Sequence, residues 1–368
     1  MKAQEHSLLY RLTLTLFFIV LFVMSMYYAR GILIPLTTAA LIAMLLLPMV
    51  RRFEKWKLGK FFSIFFSLIF IVLIIVGVLY ILSAQIVSFS DDLPAIQEKM
   101  NTRFNDLQAW IGSKTGLTGE EQLMYFKQAM SSLIGVAQSL VGTLLAATTA
   151  SLVFIGLNII FIFLFLYYRN RIHNFLLALV PKEEHINTEK IILDISMVTQ
   201  KYLLGVFTVM GILSVLNSIV FLMIGVPHAV FFGVLASILN IVPYIGVWIG
   251  TALPMIMMAI TQDSLTPILL ILIGVWINQQ IDNNFLTPTI TGSKVAINPL
   301  ATIVILIVGS MIWGVAGMIL FIPLLGVAKI IFDNVEGLKP LGYLIGEDRS
   351  EEPSRITKFF RRIWKKPS

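Results

Sequence analysis

The chain has 368 residues, of which 58% are hydrophobic and 13% are charged, and its formal net charge is +7. Soluble globular proteins are about half apolar and about a quarter charged. This composition therefore excludes a soluble protein and predicts a polytopic membrane protein. The basic residues are scattered between apolar stretches, which disfavours a nucleic-acid-binding domain. With no cysteine and four widely separated histidines, the sequence predicts no metal site and no cofactor.

Three apolar stretches near the N-terminus are long enough to cross the hydrocarbon layer, which takes about 20 residues. They are Leu12–Ala29, Ile32–Val50 and Phe61–Ile86, and together they make the first predicted unit, residues 1–86. The loop "RRFEKWKLGK" at residues 51–60 is strongly basic, and basic loops stay in the cytoplasm. Two crossings separate this loop from the N-terminus, so the N-terminus is predicted to be cytoplasmic as well.

Residues 87–131 are predicted to lie outside the membrane as a small helical region. Apolar residues recur there at three- and four-residue steps between charged ones, which is typical of amphipathic helices. We interpret this region as an extracytoplasmic cap or an oligomer contact in preference to a ligand sensor. In the next unit, residues 132–225, "SLVFIGLNIIFIFLFLYY" predicts the fourth span and Tyr202–Gly225 the fifth, with a cytoplasmic linker between them.

The unit at residues 226–335 contains two pairs of short apolar segments, each pair interrupted by proline or glycine. The first break is "NIVPYIG", with Pro243 and Gly246, and the second is "GVAG", with Gly314 and Gly317. Paired, interrupted segments of this kind indicate a transporter binding site. The basic tail at residues 336–368 predicts a cytoplasmic C-terminus. The predicted fold is all-α, with about six full spans and two helical hairpins, or about eight spans counted by hydropathy.

The polar stretch "NQQIDNNFLTP" at residues 278–288 stands between two strongly apolar stretches. On a helix, Asn278 and Asp282 share one face, because they are four residues apart, and Gln279 and Asn283 share another. Pro288 is expected to stop the helix. The amides and the carboxylate could bind a small polar solute or a small cation. Alternatively, the stretch is the hydrated end of a helix that only bonds to its neighbours.

Asn240, just before the first break, has two candidate roles: bonding to backbone freed by Pro243, or contacting a solute. Gly246, Gly314 and Gly317 are equally compatible with close helix packing. The sequence contains no Ser/His/Asp set, no phosphate-binding loop and no dinucleotide fingerprint. An enzyme or an ATP-driven pump is therefore not predicted.

The chain resembles the autoinducer-2 exporter family of bacterial membrane proteins. The resemblance is carried by "LLGVF", "GVPHAVFFGVLASILNIVPYIG", "NQQIDNNFLTPTITG", "INPLATIVILIVG" and "WGVAGMILFIPLLGVAKII", which occur in the family's order. It implies a transporter in the bacterial inner membrane, with two hairpins near the solute path. It also implies a homo-oligomer, with a pentamer as the expected assembly, and an elevator-like motion of the hairpin region against a scaffold.

The leading functional hypothesis is a secondary exporter of a small polar solute, with autoinducer-2 as the first candidate. One alternative is a sodium or lithium/proton antiporter in which Asp282 alternates between a proton and a cation. Another is a membrane scaffold without transport activity. The candidate solute-binding residues are Asn240, Pro243, Gly246, Asn278, Gln279, Asp282, Asn283, Asn284, Pro288, Gly314, Gly317 and Pro323.

Overall fold

A computed structural model describes residues 8–115, 128, 154–242, 246–262, 264–291 and 297–347. Apart from one isolated bridge, these residues form helices joined by short turns, which confirms the all-α prediction. The helices are α1 (Leu8–Tyr28), α2 (Arg30–Lys55), α3 (Lys60–Thr115), α4 (Phe154–Tyr167), α5 (Arg169–Ala178), α6 (His185–Ile224), α7 (Ala229–Leu239), α8 (Gly246–Thr261), α9 (Thr266–Ile281), α10 (Pro299–Trp313), α11 (Val315–Asn334) and α12 (Lys339–Ile345).

Four described helices are long and apolar enough to cross a membrane: α2, the first part of α3, α6 and α11. A fifth span results if α4 and α5, which bend by 63° at Tyr168, are counted together. The shorter apolar helices include most of α1, α7, α8 and α10. The protein is therefore a polytopic helical membrane protein. At 20 residues and about 1.5 Å per residue, α11 spans the hydrocarbon layer by itself.

Helices α2, α3 and α4 pack together around small and branched side chains. Ala39 and Val50 of α2 and Ile64 of α3 are fully buried there. Ser67 is also buried, and its hydroxyl donates to the Ser63 carbonyl at 2.8 Å. Because this bond lies inside one helix, Ser67 adds no unpaired donor to the apolar contact, whereas the buried side-chain oxygen of Asn158 in α4 has no hydrogen-bond partner among the described residues.

The α6–α9 helices form a second packed unit around Phe221, Phe232 and Met258. Gly225 ends α6 in the left-handed conformation, with φ at +82°, which glycine adopts without steric cost. The chain then turns back, and α7 packs along α6. A β-carbon at Gly233 would overlap Ser218, so the two backbones are almost in contact. Helix α8 returns along α7, and we call α7 and α8 the first hairpin.

Helices α10 and α11 form the second hairpin. The turn is Gly314, at φ +62° and ψ −140°, a backbone conformation that residues with a side chain rarely adopt. Gly309 and Gly317 face each other so closely that a β-carbon on either would overlap the other's backbone. The hairpin packs on α2, α6 and α1, and the Trp313 indole donates to the Met26 carbonyl at 3.0 Å.

Asn298 fastens the start of the second hairpin to the end of α12. Its side-chain oxygen accepts from the Ala301 amide at 2.8 Å and so caps α10. Its side-chain nitrogen donates to the Leu344 and Gly346 carbonyls at 2.7 and 3.1 Å. One side chain therefore both caps α10 and bonds to the end of α12, so the two helices are held at a fixed position relative to each other.

The boundary predicted at residue 86 falls inside α3, which runs unbroken from Lys60 to Thr115, so the helix predicted to begin the 87–131 region is continuous with the third predicted span. Pro288 lies inside a helix and does not stop it, so that expectation was wrong. The rest of the 87–131 region after Thr115, except residue 128, lies outside the described residues, as do Pro243 and the tail after residue 347.

Candidate functional site

Beyond α9 the polar stretch continues as a π-helix, Asp282–Thr291, which contains Pro288. In an α-helix, the proline ring would collide with the carbonyl four residues earlier. A π-helix bonds each N–H to the carbonyl five residues back, and its wider turn relieves this collision. The same five-residue period places Thr287 over Asp282, and the Thr287 hydroxyl donates to Asp282 Oδ1 at 2.7 Å.

The Asp282 carboxylate links α9 to the first hairpin. Its second oxygen, Oδ2, accepts from the side-chain nitrogen of Asn240, the residue that caps α7, at 3.2 Å. Asp282 is only 4% exposed. The ion pairs found among the described residues all lie elsewhere. A buried carboxylate without a cationic partner is costly, so this position favours binding of a cation or a hydrogen-bond donor.

A chain of buried hydrogen bonds runs behind the carboxylate. Asn278 donates to Asn217 of α6 at 2.8 Å, Asn217 donates to Ser237 of α7 at 3.0 Å, and Ser237 donates to the Gly233 carbonyl at 2.8 Å. Asn278, Asn217 and Ser237 are all buried. The first two bonds each join two apolar helices that would otherwise only pack, so the chain fixes the positions of α6, α7 and α9 relative to one another. The third bond satisfies the Ser237 hydroxyl within α7.

The remaining polar side chains of the stretch are less buried: Gln279 is half-buried, and Gln280, Asn283 and Asn284 are exposed. Gln279 donates to Asn283 at 3.1 Å, one turn further along. Asn284 bonds only to Gln280, through the backbone carbonyl at 2.9 Å and the side-chain oxygen at 3.2 Å. The pairing of Gln279 with Asn283, and the shared burial of Asn278 and Asp282, agree with the two faces predicted from the spacing.

A cavity of about 1040 Å³ lies between α6, α8 and α9. Asp282, Asn240 and Gln279 form its polar end, together with Asn283 and Thr287. A second void of about 10 Å³ adjoins it, bordered by Asn217, Asn278 and Thr251 among others. That volume holds about one water molecule. The site therefore combines a large chamber with a small polar recess at the buried amides.

The candidate residues fall into two groups. Asn240, Gln279, Asp282 and Asn283 line the cavity, and Asn278 lies directly behind it. Asn284 and Pro288 are exposed and do not line it. Gly246, the first residue of α8, packs against the carbonyl of Leu239, the last residue of α7. Gly314, Gly317 and Pro323 belong to the second hairpin, and no described residue of that hairpin is among those lining the cavity.

Three contributors to the site were not singled out from the sequence: Asn217, Ser237 and Thr287. Asn217 and Ser237 were recognisable in principle, because a polar side chain inside an apolar span needs a partner. Their partners were not predictable, since 61 residues separate Asn217 from Asn278. Thr287 could not be predicted as a site residue, because side chains five residues apart, such as Thr287 and Asp282, share a face in a π-helix but not in an α-helix.

Replacing Asn217 by alanine is expected to lower stability. The change leaves the buried Asn278 amide without its acceptor and Ser237 without its donor, and each loss costs about 1–3 kcal/mol. The thermal unfolding midpoint of the detergent-purified protein should fall clearly. Asn284→Ala is the matched control, because the Asn284 amide bonds only within its own helix. Equal midpoints for the two variants would contradict a role of the buried chain in holding the helices together.

The sequence is similar to those of known proteins over most of its length. The sequence model described as AI-2E family transporter matches residues 16–337. YueF of Bacillus subtilis (strain 168), provisionally named a transport protein, is 28% identical over 320 residues, covering 82% of this chain and 83% of that protein. YrrI of the same strain, also provisionally named a transport protein, is 26% identical over 342 residues, covering 88% and 93%. The AI-2 transport protein TqsA of Escherichia coli (strain K12) is 22% identical over 343 residues, covering 93% and 97%.

Proposed function

Because the chain belongs to the AI-2E family of transporters, we propose that it is a secondary transporter that exports a small polar solute through the cavity at Asp282. The observation that carries this proposal is a buried carboxylate at the polar end of a chamber inside apolar helices. Polar groups are costly in such surroundings, and a solute that bonds to them offsets part of the cost. Transport also accounts for the cavity better than a purely structural scaffold does.

The first solute to test is autoinducer-2. Support comes from the name of TqsA, an AI-2 transport protein, and from the acceptors and donors that Asp282, Gln279 and Asn283 present to hydroxyl groups. In this proposal Asn240 and Thr287 hold the carboxylate, and Asn278 holds α9 against α6. Pro243, Gly246, Gly314, Gly317 and Pro323 are assigned to the shape and motion of the two hairpins.

The proposed motion is elevator-like. Hydrogen bonds join Asp282 to α7 and Asn278 to α6, so α6, α7 and α9 are expected to move as one body. The α2–α3–α4 group has its own buried core and is assigned to the scaffold. We propose that the protein lies in the bacterial inner membrane as a homo-oligomer, as the family resemblance implies. Both termini are assigned to the cytoplasm, because the α2–α3 turn is strongly basic and basic loops stay on that side.

Transport in liposomes tests the proposal directly. Purified protein is reconstituted, vesicles are loaded with labelled solute, and efflux is compared with protein-free vesicles of the same lipid. Autoinducer-2 efflux that saturates with concentration is the expected result. If no polar solute in a panel of hydroxylated and amino compounds leaves faster than from empty vesicles, the proposed function fails.

A second candidate is exchange of sodium or lithium for protons. It is favoured by one observation, the burial of Asp282 without a cationic partner among the described residues. The described residues contain no cluster of three or more metal-binding side chains, so Asp282 would be the single charged group of such a site. A pH-sensitive dye inside liposomes should report proton movement when sodium or lithium is added. Flux that is unchanged in Asp282→Asn would exclude this candidate.

A further inference from the structure

Only one end of the cavity is polar. Along α9 the lining changes from Leu272 and Trp276 to Gln279 and Asp282. The eleven residues from Leu272 to Asp282 extend for about 15 Å. Asn240 bonds to Asp282, so it belongs to the same polar end. Most of the wall beyond Gln279 is therefore apolar.

Helix α8 extends the apolar wall opposite α9. It contributes Trp248, Met255 and Ile256. Its one hydroxyl in the lining, that of Thr251, donates to the Val247 carbonyl of its own helix at 2.6 Å. The whole volume of about 1040 Å³ lies at the upper limit of pockets that hold drug-sized ligands, about 300–1,000 Å³. A small, wholly polar solute would leave the apolar part unfilled.

The lining of the cavity contains one carboxylic acid, Asp282, and no Lys, Arg or His. A carboxylate offers about four acceptor positions, and Thr287 and Asn240 occupy two of them. The free acceptor positions suit a cationic donor such as an ammonium group. An anionic head group would meet the carboxylate without any compensating cation in the lining.

The apolar part of the wall reaches the outer surface of the helices. Trp248 and Trp276 line the cavity but are 72% and 62% exposed. Both lie on apolar helices, so this side of the cavity opens at the apolar outer surface of the protein. Indole rings accommodate flat or extended apolar groups and also attract cations.

From the charge, the apolar wall and its exposed side, we infer that the cavity takes amphiphilic amines. The ammonium group binds Asp282, and the apolar body lies along Leu272, Trp276 and Trp248. This inference rests on the proposed function, because it takes the same cavity as the solute pathway, and it adds amphiphilic amines to small polar solutes as a class that the site would move. It places solute access on the bilayer side of α8 and α9.

Binding of n-octylamine tests the inference. The full-length protein is placed in lipid nanodiscs, and bound amine is measured by equilibrium dialysis against a known free concentration. Nanodiscs with Asp282→Asn, in the same lipid, give the background from partition into the bilayer. Glu336→Gln removes an exposed carboxylate outside the cavity and is the matched control. Octanol and octanoate keep the chain and change the head group, and ethanolamine and butylamine shorten the chain.

The expected result is saturable octylamine binding that weakens by at least about tenfold in Asp282→Asn and is unchanged in Glu336→Gln. Affinity should rise about threefold to fourfold per methylene from butylamine to octylamine. Octanoate should not compete. Equal binding of octylamine and octanol, unaffected by Asp282→Asn, would show only an apolar groove and would overturn the inference. Binding that depends on Asp282 but not on chain length would also overturn it, while leaving transport of a small polar solute intact.

Discussion

Replacing Asp282 by asparagine is expected to weaken solute binding strongly, and so to slow transport at low solute concentration, while the protein stays folded and inserted. The two side chains have nearly the same shape, and an amide oxygen can still accept from the Thr287 hydroxyl. The negative charge is lost, and with it the strongest acceptor in the cavity. Hydrogen bonds to charged groups contribute about 1.5–3 kcal/mol, so the apparent affinity for solute should fall by about tenfold to more than a hundredfold.

The measurement is the initial rate of solute efflux from liposomes at several solute concentrations. Glu336→Gln removes a carboxylate that lies far outside the cavity and is almost fully exposed, so it should transport normally. Size-exclusion profiles of both variants show whether folding is retained. A well-folded Asp282→Asn protein with wild-type rates at all concentrations would rule out Asp282 as a solute-binding group.

Replacing Gly317 by alanine is expected to lower stability strongly. Its β-carbon would overlap the Gly309 backbone, which cannot move aside as a flexible side chain could. The two helices of the second hairpin would have to separate, and overpacking of this kind typically costs about 1–3 kcal/mol or more. The separation would also disturb the contact of Trp313 with α1.

The control for this substitution is Gly31→Ala in α2, where a β-carbon would meet no atom within 4 Å. Alanine also favours helix over glycine by about 1 kcal/mol, so Gly31→Ala should be neutral or slightly stabilising. Thermal unfolding of the purified proteins and their yields from the membrane give the comparison. If Gly317→Ala unfolds at the wild-type temperature, the close approach of α10 and α11 is not a feature of the native protein.

Much of the fold was predictable because it depends on local features of the chain. Apolar stretches long enough to cross the membrane define α2, α6 and α11. Glycine and proline mark the positions where the hairpins turn, and Gly314 adopts the positive φ that its residue type permits. The shared face of Asn278 and Asp282 follows from helical spacing alone, which is why this part of the site was recognised.

The remainder depends on contacts that no local pattern encodes. The bond from Asn240 to Asp282 joins residues 42 positions apart, and its existence depends on how α7 packs against α9. The π-helix was missed because Pro288 in an α-helix would end the helix, and no local signal indicates the wider turn. The resemblance implied two hairpins near the solute path, whereas among the described residues only those of the first hairpin border the cavity, because α11 packs on α6 and α2.

If the cavity at Asp282 is the solute pathway, bound solute should shield the residues that line it. Thiol labelling at two neighbouring residues tests this most directly. The chain has no cysteine, so a single cysteine can be placed at Asn283, which lines the cavity, or at Asn284, which is exposed but does not line it. Each variant is labelled in liposomes with a membrane-impermeant thiol reagent, with and without saturating solute. Solute is expected to slow labelling at position 283 and to leave the labelling rate at position 284 unchanged. Equal labelling rates at position 283 with and without a solute that the protein transports would show that the cavity is not the solute pathway.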